Sequence, residues 1–228
     1  MSNMVGKLSK PSVFLASEFV IIVLGVLVAL AVDNWNQERL DNKTKAHLVQ
    51  SLLSDLREDA QDYEEFVADC NARQVAANLI SELAAHDAKW SDTDYEQARN
   101  ALRRLGSTSR LETVESTFRE MSALGSAATI GDNELRLKIS YYYGLARDRA
   151  DLNDMLLPGI LRYRASLEEI GISYVDHQDI DVDAVMNSKK TLAIVRELGS
   201  WAGVAGLVEG LQVANADLIT RLEALQGQ

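Results

Sequence analysis

The sequence is poor in the residues that break helices or cross-link chains. Pro11 and Pro158 are the only prolines, and neither glycine nor proline occurs between Gly25 and Gly106. Cys70 is the single cysteine, which excludes an intramolecular disulfide and says nothing about the redox compartment. Aromatic residues make up 6% of the chain, whereas leucine, alanine and glutamate are abundant. This composition predicts an all-α protein with long helices.

A basic surface is missing as well. The chain has 23 Lys and Arg against 34 Asp and Glu, so its net charge is −11, almost all of it carried after residue 32. An acidic domain repels nucleic acid, and no basic stripe is available to bind phosphates. We therefore expect no nucleic-acid partner.

Catalytic signatures are absent too. None of the three histidines, His47, His86 and His177, has a second ligand at the spacing of a zinc motif, and no nucleophile elbow or Walker loop occurs. We therefore predict no enzymatic activity and no cofactor. A membrane-tethered hydrolase is the least favoured alternative, because acids or His177 would have to converge in a pocket.

One acidic cluster resembles a calcium loop. Asp179, Asp181 and Asp183 alternate with other residues as calcium ligands do. The EF-hand pattern fails, because Ala184 stands where glycine is required and Lys190 where the bidentate glutamate belongs. The three aspartates are kept as a calcium candidate, and helix capping by Asp181 or Asp183 is the favoured alternative.

The chain does contain one long apolar run, Val13–Val32, which is interrupted by Ser17 and Glu18. At about 1.5 Å per residue, twenty helical residues span about 30 Å, the thickness of the hydrocarbon core of a bilayer. Trp35 follows at the depth where an amphipathic ring anchors a helix to the interface. These features predict a polar tail over residues 1–12, a transmembrane helix over 13–35 and an extramembrane domain over 36–228.

Two other interpretations of the apolar run are less favoured. A cleavable signal peptide is suggested by two preceding lysines and the Ala29-Leu30-Ala31 site, but Glu18 is unusual in a signal core. A type IV pilin start is suggested by Phe14 and the nearby acid, but pilin precursors need a small residue, normally glycine, where Val13 stands. An uncleaved single-span anchor is therefore expected, with the lipid bilayer as its partner.

Glu18 lies on a distinct face of this helix. At 100° per residue, Gly25, Ala29, Asp33 and Asn36 all fall within about 60° of Glu18. Small residues let two helices approach closely, and polar groups can form hydrogen bonds across such an interface. We expect this face to contact a second copy of the chain, as a homo-oligomer, or another membrane protein. The alternative is a ring of Glu18 side chains in an ion-conducting or proton-coupled oligomer.

The remaining pattern predicts a helical bundle. Apolar residues recur every three or four positions from Leu40 to Leu83, which extends the membrane helix to about Ala85 as a long amphipathic helix. Ser91 and Asp94 predict a cap for a helix that ends near Gly106. The other predicted helices cover roughly 110–124, 135–156, 160–170, 183–198 and 201–226, with an irregular stretch, containing a short strand or turn, before the last two.

Two glycine features complete the prediction. Pro158-Gly159 is expected to separate two helices. Gly206 and Gly210 form a G-x-x-x-G, which we assign to close packing inside the bundle, because Glu209 and the shortness of the apolar run argue against a second span.

Two stretches of the sequence have a distinctive order of residues. The first, "ASEFVIIVLGVLVALAVDNWNQER", has an acid, an apolar run with glycine, and an Asn-Trp-Asn block (Asn34 to Asn36). The second, "STFREMSALGSAATIGDNELRLKISYYYG", has an aromatic residue, a Leu-Gly pair, an Asp-x-x-Leu and a tyrosine pair. Together these stretches resemble a bacterial family of single-span membrane proteins of unknown function. The resemblance implies a helical protein anchored in the bacterial inner membrane and no assigned activity. A short tail before a long acidic domain favours a periplasmic C-terminal domain.

Overall fold

The computed structural model of the protein describes residues 10–85, 90–125, 130–174 and 180–226, with side chains from Glu18 onward. Over these ranges the chain is all-α and contains no strand. It divides into two compact units, one up to Leu48 and one from Val49 onward. The prediction of an all-α fold is confirmed.

Seven α-helices follow one another along the described ranges, with a short 3-10 turn at Ser200–Ala202 before the last. They are α1 (Lys10–Ala85), α2 (Asp92–Leu105), α3 (Ser116–Leu124), α4 (Asn133–Glu168), α5 (Val182–Asn187), α6 (Lys189–Gly199) and α7 (Gly203–Gln226).

Helix α1 is continuous over 76 residues, as the scarcity of glycine and proline predicts. In the N-terminal unit, the large apolar side chains from Phe19 to Val32 are 38–69% exposed. In the C-terminal unit, nine buried positions of α1 follow one another at alternating intervals of three and four residues, and Val49, Leu53 and Ala76 beside them are buried as well. The nine are Leu52, Leu56, Asp59, Tyr63, Phe66, Cys70, Arg73, Ala77 and Ile80. The amphipathic continuation is therefore present, although Val75, expected on the apolar face, is 68% exposed.

The core of the C-terminal unit joins α1 to α2, α4, α5 and α6 around Tyr163. This ring is fully buried, and its hydroxyl donates to the carbonyl oxygen of Leu102 at 2.9 Å. The same cluster of buried residues contains aliphatic side chains such as Ile80 and Val195. Helices α4 and α7 also pack against each other.

Helix α2 begins where the sequence predicts. The Ser91 hydroxyl accepts the amide N–H of Asp94 at 3.3 Å, and the Asp94 carboxylate accepts the amide N–H of Ser91 at 2.8 Å. This reciprocal pair is a capping box, which satisfies two amide groups that the helix itself leaves free.

The predicted helix over 110–124 is wrong in its first half, because α3 begins only at Ser116. Residues 106–115, here called the connecting segment, are not helical. Side chains of α1 and α4 bind the backbone of the connecting segment and replace the hydrogen bonds that a helix would supply.

The predicted break at Pro158-Gly159 is also wrong, because α4 runs through both residues to Glu168. Proline removes one backbone hydrogen bond from a helix, and the packing of α4 against α6 and α7 outweighs that loss. Gly159 has a reason to be glycine, because an ideal Cβ atom there would lie 2.3 Å from Cη2 of Trp201.

The C-terminal helices differ from the prediction in two details. Ser188 divides the expected helix over 183–198, because it ends α5 and caps α6 by accepting the amide N–H of Thr191 at 3.3 Å. Gly206 and Gly210 do not pack inside the bundle: both are exposed, and an ideal Cβ atom at either would meet nothing within 4 Å. The interpretation of this G-x-x-x-G as a core contact is therefore wrong.

Replacing Gly159 by alanine tests the contact between α4 and Trp201. Because the new Cβ atom would stand 2.3 Å from the ring, we expect the free energy of unfolding to fall by about 1–3 kcal/mol. Gly144, on the same helix, has nothing within 4 Å of its Cβ position. Gly144→Ala should therefore raise the free energy of unfolding by about 0.5–1 kcal/mol. Urea unfolding of the full chain in detergent compares the two, and equal stabilities would contradict the contact.

Candidate functional site

The predicted membrane face lies on one continuous stretch of α1. Glu18, Gly25, Ala29, Asp33 and Asn36 are all exposed in the N-terminal unit. A Cβ atom added at Gly25 would meet no atom within 4 Å, so this position is open to a partner helix.

Trp35 lies one turn before the first cationic side chain after the apolar run. The ring is 62% exposed, and the Arg39 guanidinium carbon lies 5.9 Å from its centroid. A tryptophan paired with a cation in this way has an apolar body and a polar edge, which suits the interface between hydrocarbon and water.

Two helical stretches of the described chain are long and apolar enough to cross a membrane, by length and composition. The first lies in α1, and none of its apolar window is buried. The second, Lys189–Gln226, has 35% of its window buried within the protein. Partial burial is typical of a core helix, which fits the packing of α7 against α4.

Only part of the acidic cluster before α5 lies within the residues that the structure describes. Asp179 lies outside the described residues, as do His86 and His177. Asp181 caps α5 by accepting the amide N–H of Ala184 at 3.0 Å, and Asp183 accepts the Tyr95 hydroxyl at 2.8 Å. Both carboxylates therefore already have partners in the fold. Over the described ranges, no group of three His, Cys, Asp or Glu is arranged to hold a metal ion.

The most unusual site in the C-terminal unit is the buried carboxyl group of Asp59, which the sequence analysis did not identify. Asp59 is fully buried, with 0% of its surface exposed. One oxygen, Oδ1, accepts the amide N–H of Val114 at 2.7 Å, and Oδ2 accepts the Tyr142 hydroxyl at 2.5 Å. Neither hydrogen bond comes from a cation.

Three hydroxyl groups extend the network away from Asp59. The Tyr63 hydroxyl lies 2.9 Å from that of Tyr142, and the Thr113 hydroxyl lies 2.7 Å from that of Tyr63. Asn215 of α7 fixes the other side of Tyr142 by donating to its hydroxyl at 3.1 Å and to the carbonyl oxygen of Leu56 at 2.9 Å. Tyr63, Tyr142 and Asn215 are buried, whereas Thr113 is half-buried.

Further side chains fix the connecting segment on either side of this network. Arg164 donates two hydrogen bonds to the carbonyl oxygen of Gly106, at 2.9 and 2.6 Å. Asn153 forms a pair of hydrogen bonds with Leu111, accepting its N–H at 2.8 Å and donating to its carbonyl oxygen at 2.9 Å.

At the far end of the connecting segment, Asp55 substitutes for a missing helix cap. The residue before α3, Glu115, makes no side-chain capping bond. Asp55 of α1 accepts the amide N–H of Thr117 at 3.1 Å and the Ser116 hydroxyl at 3.0 Å. The carboxylates of Asp55 and Asp59, one turn apart on α1, thus hold consecutive parts of the chain.

Burial changes the acidity of the network. It raises the pKa of Asp59 from 3.8 to about 6, although the hydrogen bonds from Tyr142 and Val114 act in the opposite direction. The neighbouring carboxylates Asp55 and Asp62 raise the pKa further. Burial also raises the pKa of Tyr63 to about 12 and raises that of Tyr142, so both phenols stay neutral. Asp59 can therefore take up or release a proton near pH 6.

A sequence signal for Asp59 existed. It occupies one position of the three-and-four repeat between Leu56 and Tyr63, where the flanking positions are buried. Surface helices carry their carboxylates on the opposite face, so an acid in this register marks a buried polar group. Tyr142, which belongs to the tyrosine pair of the second quoted stretch, is a hydrogen-bond partner of Asp59.

In comparisons with protein-family models, curated proteins and solved structures, nothing matched this chain. The resemblance to single-span membrane proteins therefore stays a prediction that rests on the two quoted motifs.

Replacing Asp59 by asparagine should flatten the pH dependence of stability. The folded protein binds the Asp59 proton more tightly than the unfolded chain, because the pKa is about 6 rather than 3.8. The contribution of this group to the free energy of unfolding is therefore greatest below pH 4 and falls by about 3 kcal/mol in all as the pH rises through 6. Asparagine imitates the protonated acid, since its amide donates to Tyr142 and its oxygen accepts from Val114.

At pH 7 we expect Asp59→Asn to raise the free energy of unfolding by about 1–3 kcal/mol. Chemical denaturation of the full chain between pH 4.5 and 7.5 measures this change. Asp148→Asn, an exposed change on α4, is the control and should keep the pH dependence of the natural sequence. If the free energy of unfolding changed with pH equally in Asp59→Asn and in this control, the raised pKa of Asp59 would be excluded.

Two adjacent tyrosines give a matched test of the network. Tyr142 and Tyr143 are both fully buried, but the Tyr143 hydroxyl has no hydrogen-bond partner among the described residues. Tyr142→Phe leaves a buried carboxylate without its donor and should lower the free energy of unfolding at pH 7 by about 2–3 kcal/mol. Tyr143→Phe removes an unsatisfied hydroxyl and should raise it by about 1 kcal/mol. Equal losses in both variants would contradict the assignment.

Proposed function

We propose that the protein is a single-span protein of the bacterial inner membrane with its helical C-terminal domain in the periplasm. The observation that carries the proposal is the apolar run of α1. Its large side chains from Phe19 to Val32 are at least 38% exposed, and the described part of the N-terminal unit offers nothing to cover them. A continuous, all-round apolar helical surface of this length is stable in lipid and not in water.

The acidity of the C-terminal domain supports the orientation. Lys7 and Lys10 precede the run and Arg39, Lys43 and Lys45 follow it, so the number of basic residues is nearly equal on its two sides. The acidic domain that follows has no electrostatic attraction to anionic lipid, which fits a domain that stands clear of the bilayer.

The protein acts in this proposal by assembly. Glu18, Gly25, Ala29, Asp33 and Asn36 share one side of a helix whose other side is fit for lipid. Gly25 and Ala29 give a shallow surface against which a second helix can pack, and the polar groups give it hydrogen bonds. The partner is a second copy of the chain or a subunit of a larger membrane complex. No catalytic motif competes with this role.

A second candidate function rests on Glu18 itself. An acid within an apolar segment is costly, on the order of 3 kcal/mol at the bilayer centre, and is commonly used to bind ions or protons. In an oligomer, copies of Glu18 would come together around the axis. The protein would then conduct ions or couple to a proton, which the closing experiment below separates from an assembly role.

Two alanines provide a matched test of the assembly face. Ala29 lies on the face with Glu18, whereas Ala31 lies on the opposite side of the same helix. Ala29→Leu should shift the full chain, purified in mild detergent, toward monomer or free it from its partner protein. Ala31→Leu should leave the complex unchanged. The mass of the complex and the identity of co-purifying chains measure both, and a monomeric natural sequence would exclude the assembly face.

Glu18→Gln separates the two candidate functions. If Glu18 serves packing, the variant should lose affinity for its partner, because amide and carboxyl groups bond differently across the interface. If Glu18 binds ions, the complex should keep its mass, while proton or cation flux through reconstituted vesicles should fall to the background of empty vesicles.

A further inference from the structure

We propose that Asp59 is a proton-binding site whose proton passes to solvent through Tyr142, Tyr63 and Thr113, and that release of this proton loosens the connecting segment. The inference concerns the C-terminal unit alone and is independent of the membrane face.

The geometry provides the path. Four oxygen atoms form an unbroken chain: Oδ2 of Asp59, the Tyr142 and Tyr63 hydroxyls, and Oγ1 of Thr113. The three separations are 2.5, 2.9 and 2.7 Å. Each of these distances lies within the range of an O–H···O hydrogen bond. The chain begins at a fully buried carboxyl group and ends at a half-buried threonine next to the surface.

This row of four oxygen atoms can pass a proton from Asp59 to solvent without the movement of a heavy atom. In the acid form, Asp59 donates to Tyr142, Tyr142 to Tyr63 and Tyr63 to Thr113, whose own proton points to water. When each hydroxyl passes its proton one step outward, the O–H bond of Asp59 breaks, and water receives the proton of Thr113. Tyr142 then donates to Asp59, and every other bond in the chain is reversed. One proton has left, and neither tyrosine remains ionised.

Val114 and Asn215 also donate hydrogen bonds to this row of oxygen atoms. Both bonds are compatible with the protonated and with the ionised form of Asp59. Val114 donates its N–H to Oδ1 of Asp59, so the proton must sit on Oδ2, which faces Tyr142. Asn215 donates to the Tyr142 hydroxyl, which still has one lone pair for either Asp59 or Tyr63.

Among the residues that the structure describes, no cation acts on the ionised form of Asp59. The groups that act on Asp59 are acidic or uncharged: Asp55, Asp62 and Tyr63 on α1, Val114 of the connecting segment, and Tyr142 and Tyr143 on α4. Asn215 of α7 adjoins Tyr142, and Glu115 of the connecting segment acts on Tyr143. Of these acids, Glu115 is itself paired with Arg119 at 2.7 Å. A buried, unbalanced carboxylate is stabilised by contact with water.

The connecting segment is the part that can open to admit water. The helices around Asp59 are held by their own backbone hydrogen bonds, whereas the connecting segment is held by side chains of Arg73, Arg164, Asn153 and Asp59. It also walls two clefts: one of about 380 Å³ beside Asp62, Phe66 and Asp69, and one of about 220 Å³ beside Asn153 and Leu157. Proton release would therefore reshape both clefts.

Hydrogen exchange of the full chain in detergent, between pH 4.5 and 7.5, tests the opening. After division by the intrinsic exchange rate, protection of the peptide containing Leu111 and Val114 should fall 10- to 100-fold up to about pH 6 and then level off. Asp59→Asn should keep high protection throughout, and Asp148→Asn should behave as the natural sequence does. A peptide from α2 serves as the internal control for global unfolding. The proposal would be overturned if the protection of this peptide in the natural sequence did not change with pH, or if it fell equally in Asp59→Asn.

The relay needs its own readout. The infrared carbonyl band of protonated Asp59, assigned by its absence in Asp59→Asn, can be followed after a rapid pH jump. Thr113→Val removes the outer hydroxyl while keeping a side chain of the same shape. We expect this variant to reach the same final band intensity at least ten times more slowly. An unchanged rate would show that protons reach Asp59 by another route.

Discussion

A backbone that leaves the helix but stays against the core must find its hydrogen bonds in side chains. The connecting segment meets this constraint at each end and in the middle, through Arg164, Asn153 and Asp59. Asp55 then provides the cap that α3 lacks. These contacts link α1, α4 and the start of α3, so the arrangement of the C-terminal unit depends on a few polar side chains as much as on its aliphatic core.

At neutral pH, an aspartate at this buried position stabilises the fold less than an amide would. An amide would make both of its hydrogen bonds without carrying a charge. Unlike an amide, the carboxyl group of Asp59 can exchange a proton near pH 6. Buried carboxyl groups with raised pKa are common at functional sites. The two parts of the chain thus present acids in contrasting settings, with Glu18 on an exposed apolar helix and Asp59 inside a bundle.

Much of the fold could be predicted from the sequence, because local rules govern it. The length of α1 follows from the absence of helix breakers after Gly25, and the cap at Ser91 follows from its residue types. The errors arose where tertiary contacts outweigh local preference. Pro158 is tolerated inside α4 because neighbouring helices hold it, and residues 110–115 leave the helix because side chains distant in sequence bind them. Asp59 was missed because the partners that bury it lie on three other parts of the chain.

The distances along the chain within the Asp59 network bear on how the protein is made. Asn215 and the carbonyl oxygen of Leu56 are separated by 159 positions, and Tyr142 and Asp59 by 83. A ribosome completes α1 long before α7 exists, so the carbonyl oxygen of Leu56 lacks its partner Asn215 until most of the described chain has been made. Contacts this far apart in sequence slow folding. Helix α1 is therefore made before the helices it packs against and is among the last to acquire its full set of native neighbours.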